Sequence, residues 1–597
     1  LDVTQNRNLR GVAVAALILL FCAIYLGSAF TPTLQDDVDT GHAEAAKEML
    51  HTGDLVTLHI NGVRYLEKAP LMYWLVALSY KIFGISDFAT RLPTLLAMLG
   101  LCLLGVHWAG RAFGARAGLY TGLLMATGAG CFLFTRVFIP EAILSLLIAA
   151  SFYCLVRALD VEKSRWWYGL YALAALAVLT KGMIALVVIG MATVAYLLVS
   201  GEWRRWREFH IFSGLVLFFA IAAPWHVLAA LRTPETPSHH GFLWFYFINE
   251  QVMRFLGKRV PHDYNKQAWY LYWSLHLVWL FPWSLYLPVA LRRMKNSMKW
   301  PRAGQLDFTA RTRWVCLLWA TVLLVFFSLS TNQEYYTFPT YFAIFMLLAD
   351  GLASEEQAPH PRWLVATSAV GAVVRIAFAG VLVAGLWSSR NLPFVPDIGS
   401  VLSETHGDDY TLSMGHVLDL TGQSFAALRL PAILAVIALL VGSLLELGLR
   451  WRKRHYAATW ALAASMALFL VAAHVALVRF DPYLSSRVLE RRLEQVVRPE
   501  DRVLIYGDHS FGSSIVYYLP HRVELVNGRT SSLWFGSSFP DAPKIFLEDD
   551  DLVRLWKSPV RVFVFAPDFE QKKVRALLGG APQEFATSSG KVIYVNH

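Results

Sequence analysis

Three carboxylates stand within four residues at Asp36, Asp37 and Asp39, just past an apolar run that ends near Phe30. Carboxylates beside a membrane-length segment are costly unless they are solvated or used. The cluster is therefore either an acidic turn that caps a helix in water or an acid that meets a substrate. Thirty residues on, Arg64-Tyr65-Leu66-Glu67-Lys68-Ala69-Pro70 sets a fixed charge pair at a helix start. It reads as a surface salt bridge of little worth or as a wall of the same site. Further cations, Arg136, Lys181 and Arg254, fall at the ends of apolar runs. Each alone could snorkel to headgroups, but with Lys68 they make a set able to cradle a phosphate, and cations at such depth are rare unless they face an anionic group or a cavity. His239, His240 and His262, with Glu67 in reach, make a divalent metal such as zinc conceivable through Glu67 and His262, although no tight ligand spacing supports it.

The elements that position these residues are membrane spans. Of 597 residues, 56% are hydrophobic and only 16% are charged, and the mean hydropathy is +0.45, so lipid is the main solvent. The net charge of +10 orients the chain rather than pointing to nucleic acid, because Lys and Arg collect in cytoplasmic loops. Apolar runs of about 17–25 residues are placed near 11–30, 92–110, 118–135, 141–157, 168–180, 183–199, 210–230, 271–290, 314–331, 336–350, 363–387, 427–447 and 457–478, about thirteen spans. The chain opens on Leu1, so a few leading residues are expected to be missing, and Gly11–Phe30 reads as a span, being longer than a signal-peptide core. Arg111 and Arg116, Arg157 and Arg165, Arg204 to Arg207, Arg292 to Arg313 and Arg450 to Arg454 then fall inside, as the positive-inside rule requires. The five cysteines lie in or beside apolar segments and suggest no disulfide framework.

This topology places 31–91, 231–270, 388–426 and everything after 479 outside. In the first of these, Ala43, Ala46, Met49 and Leu50 recur at helical spacing while Glu44, Lys47 and Glu48 face away, so an amphipathic helix along the membrane surface is expected. After Arg479 the pattern changes to strand, helix, strand at Val503–Tyr506, Ser510–Tyr518 and Val523–Val526, and again at Arg561–Ala566, Glu570–Leu578 and Lys591–Val595. The expectation is a transmembrane domain over 1–479 and a soluble α/β domain over 480–597 that shows no Gly-rich loop or triad and is assigned no catalysis.

The acidic turn, "HAEAAKEML" and "GDLVTLHINGVRYLEKAPLMYW" together resemble the bacterial aminoarabinose lipid A transferases, GT-C glycosyltransferases of the protein-mannosyltransferase superfamily. The similarity is strongest over 36–75. It continues in Thr135-Arg136 with Pro140-Glu141, in Thr180-Lys181-Gly182, and in Asn249-Glu250-Gln251-Val252-Met253-Arg254-Phe255 with His262 downstream. Two positions depart from the family. Val38 stands where the first-loop Asp is found, which spreads the catalytic role over Asp36, Asp37 and Asp39, and Ser330-Thr331-Asn332-Gln333-Glu334-Tyr335-Tyr336 lacks the Lys usual before the tyrosines.

The resemblance implies inverting transfer of 4-amino-4-deoxy-L-arabinose from undecaprenyl phosphate to a lipid A phosphate, outside a bacterial inner membrane, giving polymyxin resistance. Glu67, Lys68, Tyr65, Arg136, Glu141, Lys181, Arg254, His262, Tyr335 and Tyr336 would bind substrate. No cofactor is required, and the partners are membrane lipids and the two lipid substrates, not nucleic acid, around a monomer. The alternatives are a protein O-mannosyltransferase or another polyprenyl-phosphate glycosyltransferase, and, from another class, a lipid flippase. Charges gathered at one face rather than inside the spans favour an enzyme.

Overall fold

Long apolar runs become helices because, in lipid, every backbone polar group must be satisfied within its own segment. The computed structural model describes residues 7–161, 164–237, 240–261, 267–301, 306–330, 333–402 and 420–597. His239, His262, Thr331 and Asn332 lie outside the described residues, as does much of the outer stretch 388–426. Among the described residues ten helices are long and apolar enough to cross a membrane, and up to twelve if each of two bent pairs counts as one span. The expected number near thirteen is thereby refined. The run near 118–135 breaks into Ala115–Thr127 and Ala129–Arg136 at a 52° bend, and that near 271–290 into Trp269–Trp279 and Trp283–Ser297 at 96°. Trp166–Lys181 is a separate helix of 16 residues.

Burial separates the central helices from the lipid-facing ones. Glu334–Glu356 has 89% of its apolar window enclosed by protein, whereas Arg362–Ser388 has 22%. Close packing in the bundle depends on small residues. A Cβ on Gly118 would lie 2.8 Å from Gly110 Cα of the neighbouring helix, so Asp87–Phe113 and Ala115–Thr127 meet backbone to backbone. The peripheral helices are tied inward by buried ion pairs. Arg375 meets Glu446 at 2.5 Å and Arg450 meets Glu356 at 2.8 Å, while the Tyr286 hydroxyl donates to Glu446.

The first outer stretch holds helix Val38–Thr52, a two-residue antiparallel pair at His59–Ile60 and Val63–Arg64 and helix Leu71–Phe83. The helix predicted to lie on the membrane surface is instead enclosed. Asp39 to Ala46 are buried without interruption, and Glu44, expected to face away, is only 6% exposed and pairs with Lys47 at 3.1 Å. The cover is the C-terminal domain: Lys47 Nζ donates to the Tyr517 carbonyl at 2.7 Å, and Asn61 Nδ2 to that of Val523 at 3.0 Å.

The last span runs to Leu484, past the expected boundary at 479. A six-stranded sheet follows, in the order Phe546–Leu547, Val523–Val526, Arg502–Tyr506, Val562–Ala566, Lys591–Val595, Gln583–Ser588. Its first four strands run parallel, Lys591–Val595 pairs antiparallel with Val562–Ala566, and Gln583–Ser588 pairs antiparallel with Lys591–Val595. Central strands such as Val562–Ala566 are buried throughout, as parallel strands covered on both faces must be.

Candidate active site

A cavity of about 610 Å³ lies where the bundle, the outer stretches and the sheet domain meet. One end is apolar, with Leu144, Ile148, Ile184, Val188, Leu323, Phe326 and Phe327. The other is charged. Asp37, His42, Tyr65, Glu67 and Lys68 come from the first outer stretch, Glu141 and Lys181 from helix ends, Glu250 and Arg254 from the second outer stretch, and Tyr335 and Tyr336 from a later turn. Asp508, His509, Ser510, Ser531 and Ser532 of the sheet domain complete this wall. The domain to which the sequence assigns no catalysis thus supplies part of the cavity lining. Its contributing residues sit in loops after strands, where no motif marks them.

Each cation of the wall arrives with a carboxylate that orients it. Lys181 pairs with Glu141 and lies 4.4 Å from the Tyr336 ring centroid, a cation–π distance. It ends helix Trp166–Lys181, where the helix dipole favours positive charge. Gly182 then turns the chain at φ +80°, and a Cβ there would sit 2.8 Å from the Tyr246 hydroxyl, so only glycine fits the turn that aims Lys181. Lys68 Nζ is 2.9 Å from Glu67 Oε1, and Arg254 is 3.4 Å from Glu250 Oε2. Glu250 sits in a π-helical stretch, Trp244–Met253, a form concentrated at functional sites. Arg259, which the sequence reading passed over, joins the two loops. Its guanidinium is 4% exposed and reaches Glu67 Oε2 at 2.8 Å and Glu250 Oε1 at 2.7 Å. Burial alone would raise the Glu67 pKa, but Lys68, Arg259 and Arg254 outweigh it and hold the carboxyl well below the ordinary range. Glu250 goes the other way, since burial and the nearby Glu67 overcome its arginines.

Of the three clustered aspartates only Asp37 lines the cavity. Its backbone adopts φ 69°, ψ −100°, a region strained for a residue with a side chain and concentrated at functional sites. The Asp37 N–H donates to Ser513 Oγ at 2.7 Å. Its carboxylate opens on the cavity yet is ringed by protein. Although its surface is exposed to the cavity, desolvation by the protein crowded around it first, then the negative charges of Asp508 and Glu67, raise its pKa to about 7 against the pull of Lys68. Asp508 is held low instead, because Ser531, the Ser510 N–H and Thr530 donate to it and outweigh its burial. His42, bonded to the Tyr73 hydroxyl at 2.8 Å, is pushed down to about 3 by burial and by Lys68, so it faces the cavity as neutral imidazole.

Three expected site residues lie elsewhere. Asp36 is turned toward the sheet domain, accepting from Ser514 N–H at 2.8 Å, Ser486 Oγ at 2.7 Å and Lys591 Nζ at 2.9 Å. Asp39, 1% exposed, accepts from the Phe138 N–H at 2.7 Å and lies 3.9 Å from Arg91. Arg136 donates to the Ser28 and Thr31 carbonyls. It caps the end of the first span, where the last carbonyls have no partner of their own. A metal finds little at Glu67, whose oxygens already accept from Tyr65, Lys68 and Arg259. Among the described residues no group of three or more His, Cys, Asp or Glu is placed to hold one. His240 stacks on Trp244 at 3.9 Å and is not among the cavity residues.

The dolichyl-phosphate-mannose-protein mannosyltransferase family matches residues 67–227, which carry Lys68, Glu141 and Lys181. The undecaprenyl phosphate-alpha-4-amino-4-deoxy-L-arabinose arabinosyl transferase of Yersinia enterocolitica is 28% identical over 404 residues, 65% of this chain and 68% of the relative. That of Aeromonas salmonicida is 31% identical over 348 residues, 56% of this chain but only 59% of the relative. The crystal structure of ArnT from Cupriavidus metallidurans bound to undecaprenyl phosphate superposes with a TM-score of 0.75 at 22% identity, over 98% of this chain and 97% of that one. This chain is similar to the aminoarabinose transferases and shares the fold of that crystal structure. The same fold extends more distantly to the Archaeoglobus fulgidus oligosaccharyltransferase, with a TM-score of 0.50 at 12% identity over 97% of this chain and 72% of that one. In this fold, the charged end of the cavity lies where the bundle meets the sheet domain, and the apolar end runs between the spans.

Proposed function

We infer that this chain moves 4-amino-4-deoxy-L-arabinose from undecaprenyl phosphate to a phosphate of lipid A, on the periplasmic face of a bacterial inner membrane. One observation carries the reading: a single cavity joins an apolar end among the spans to a wall of carboxylate-oriented cations, with the Asp37 carboxylate, unpaired among the described residues, facing them. The apolar end suits a prenyl chain. Lys68, Lys181 and Arg254 suit the donor phosphate, and Tyr335 and Tyr336 flank it beside Lys181. Asp37, with Asp508 opposite, leaves negative charge for the amino group of the sugar.

In the reaction the bond from the sugar C1 to the donor phosphate breaks and its electron pair leaves with that phosphate. An oxygen of the lipid A phosphate attacks C1 from the other side and inverts it. Cations fixed where negative charge grows supply the main stabilisation. The acceptor phosphate is already ionised and needs orientation more than deprotonation. The product carries an added amine, which lowers the negative charge of lipid A and so its attraction for cationic peptides such as polymyxin.

A hydroxyl acceptor, as in protein mannosyl transfer, is the second reading, favoured by the Asp37 pKa of about 7, which suits a general base at neutral pH. Purified protein in detergent, given a synthetic undecaprenyl-phosphate aminoarabinose with lipid A or a hydroxyl-bearing peptide, separates the two. Transfer to lipid A is expected, and its loss on the order of 10–100-fold in Lys181→Ala. A flippase gives no product where there are no compartments, and transfer to peptide alone replaces the reading by the second. EDTA is expected to leave turnover unchanged, since the charges come from the chain; a loss restored by zinc would reinstate the metal.

A further inference from the structure

The acidic turn and the sheet domain are joined by contacts that the transfer chemistry above does not use. The Asp37 N–H donates to Ser513 Oγ at 2.7 Å, and the same oxygen lies 2.7 Å from Thr40 Oγ1. One residue earlier, Asp36 accepts from the Ser514 N–H at 2.8 Å and from Lys591 Nζ at 2.9 Å. Ser486, between the last span and the sheet, donates its hydroxyl to Asp36 at 2.7 Å and receives Lys591 at 3.3 Å. Ser513 is fully buried and the Lys591 side chain is 14% exposed. Between these two anchored peptides the Asp37 backbone stands at φ 69°, ψ −100°. A side-chain-bearing residue keeps such a conformation only when its surroundings over-determine it.

The geometry points to Ser513 and Lys591 of the sheet domain as positioning residues that hold the strained Asp36–Asp37 turn and so aim the Asp37 carboxylate into the cavity. Ser513 fixes the turn at its N–H, and Lys591 fixes it through the Asp36 carboxylate. Neither residue is among those lining the cavity, so their effect passes through Asp37. The inference rests on the transferase reading of the same cavity. Without Ser513 Oγ the Asp37 N–H loses this acceptor, and the turn is then free to relax toward an ordinary backbone. A displacement of about 1 Å at a reacting group lowers turnover by up to about a hundredfold.

The test uses full-length protein in the detergent assay, with Ser513→Ala, Lys591→Met and Lys591→Arg. Ser513→Ala and Lys591→Met are expected to lower kcat/KM for the polyprenyl donor by about 10–100-fold and to move the acidic limb of the pH–rate profile that Asp37 sets. Lys591→Arg, which keeps the charge on Asp36, is expected to restore most of the rate. Folded protein is counted by gel filtration, so rates refer to the native fraction. Wild-type kcat/KM and pH limb in Ser513→Ala and Lys591→Met overturn the inference, as does a loss of rate whose pH profile is unmoved. An inactive wild-type protein sinks the transferase reading instead.

Discussion

At the residue scale, three aspartates that look equivalent in the sequence have three different tasks. Asp36 faces the sheet domain, Asp39 accepts from the Phe138 N–H, and Asp37 alone meets the cavity. A carboxyl with a pKa raised to about 7 is ionised above that pH and protonated below it, so activity that needs its charge rises as pH passes upward through about 7. Asp37→Asn is expected to lose most turnover together with this limb, while Asp39→Asn, read by thermal melting in detergent, loses stability. A pH–rate profile of Asp37→Asn that keeps the wild-type limb would assign the limb elsewhere. Lys68, Lys181 and Arg254 were legible because cations at the outer ends of spans need an explanation. Arg136 met the same criterion for a different reason: capping carbonyls and cradling phosphate both call for an Arg at that depth, and only geometry distinguishes them. Asp508, Ser531 and Arg259 carried no comparable mark, since Asp, Ser and Arg in an outer loop are ordinary.

At the element scale, sequence and structure agree wherever an apolar run is long and unbroken. They part at bends, because Gly128 and Pro282 divide segments whose composition reads as continuous. In the sheet domain, four strands were visible as short apolar runs, but Phe546–Leu547 is too short to show a pattern and Gln583–Ser588 is half exposed and polar. The turn at Gly182 is the element most closely tied to chemistry. A side chain there meets a φ of +80° and the Tyr246 hydroxyl, so Gly182→Ala is expected to cost about 1–3 kcal/mol and to swing Lys181 away from Glu141. Donor binding by Gly182→Ala, measured by titration calorimetry, should weaken at least tenfold, and wild-type affinity would show that the turn tolerates a Cβ.

At the scale of the whole molecule, the distribution of basic loops puts the segment around Lys295 on one side of the membrane and the sheet domain on the other. An introduced cysteine at Lys572 is expected to react with an impermeant maleimide in spheroplasts, and one at Lys295 only after lysis. The reverse pattern would turn the site to the cytoplasm. Four of the native cysteines, Cys102, Cys131, Cys154 and Cys316, are buried, and the partly buried Cys22 is replaced by serine to leave the readout clean. The fold class could be read from hydropathy, but the union of bundle and sheet could not, because it depends on single polar contacts between distant parts of the chain. The bond from Lys591 to Asp36 spans 555 residues. During biosynthesis Asp36 emerges 555 residues before Lys591. The acidic turn therefore waits without its clasp while the spans and most of the sheet domain are made, and a chain cut shortly before Lys591 carries Lys68, Lys181 and Arg254 yet lacks the closing contact.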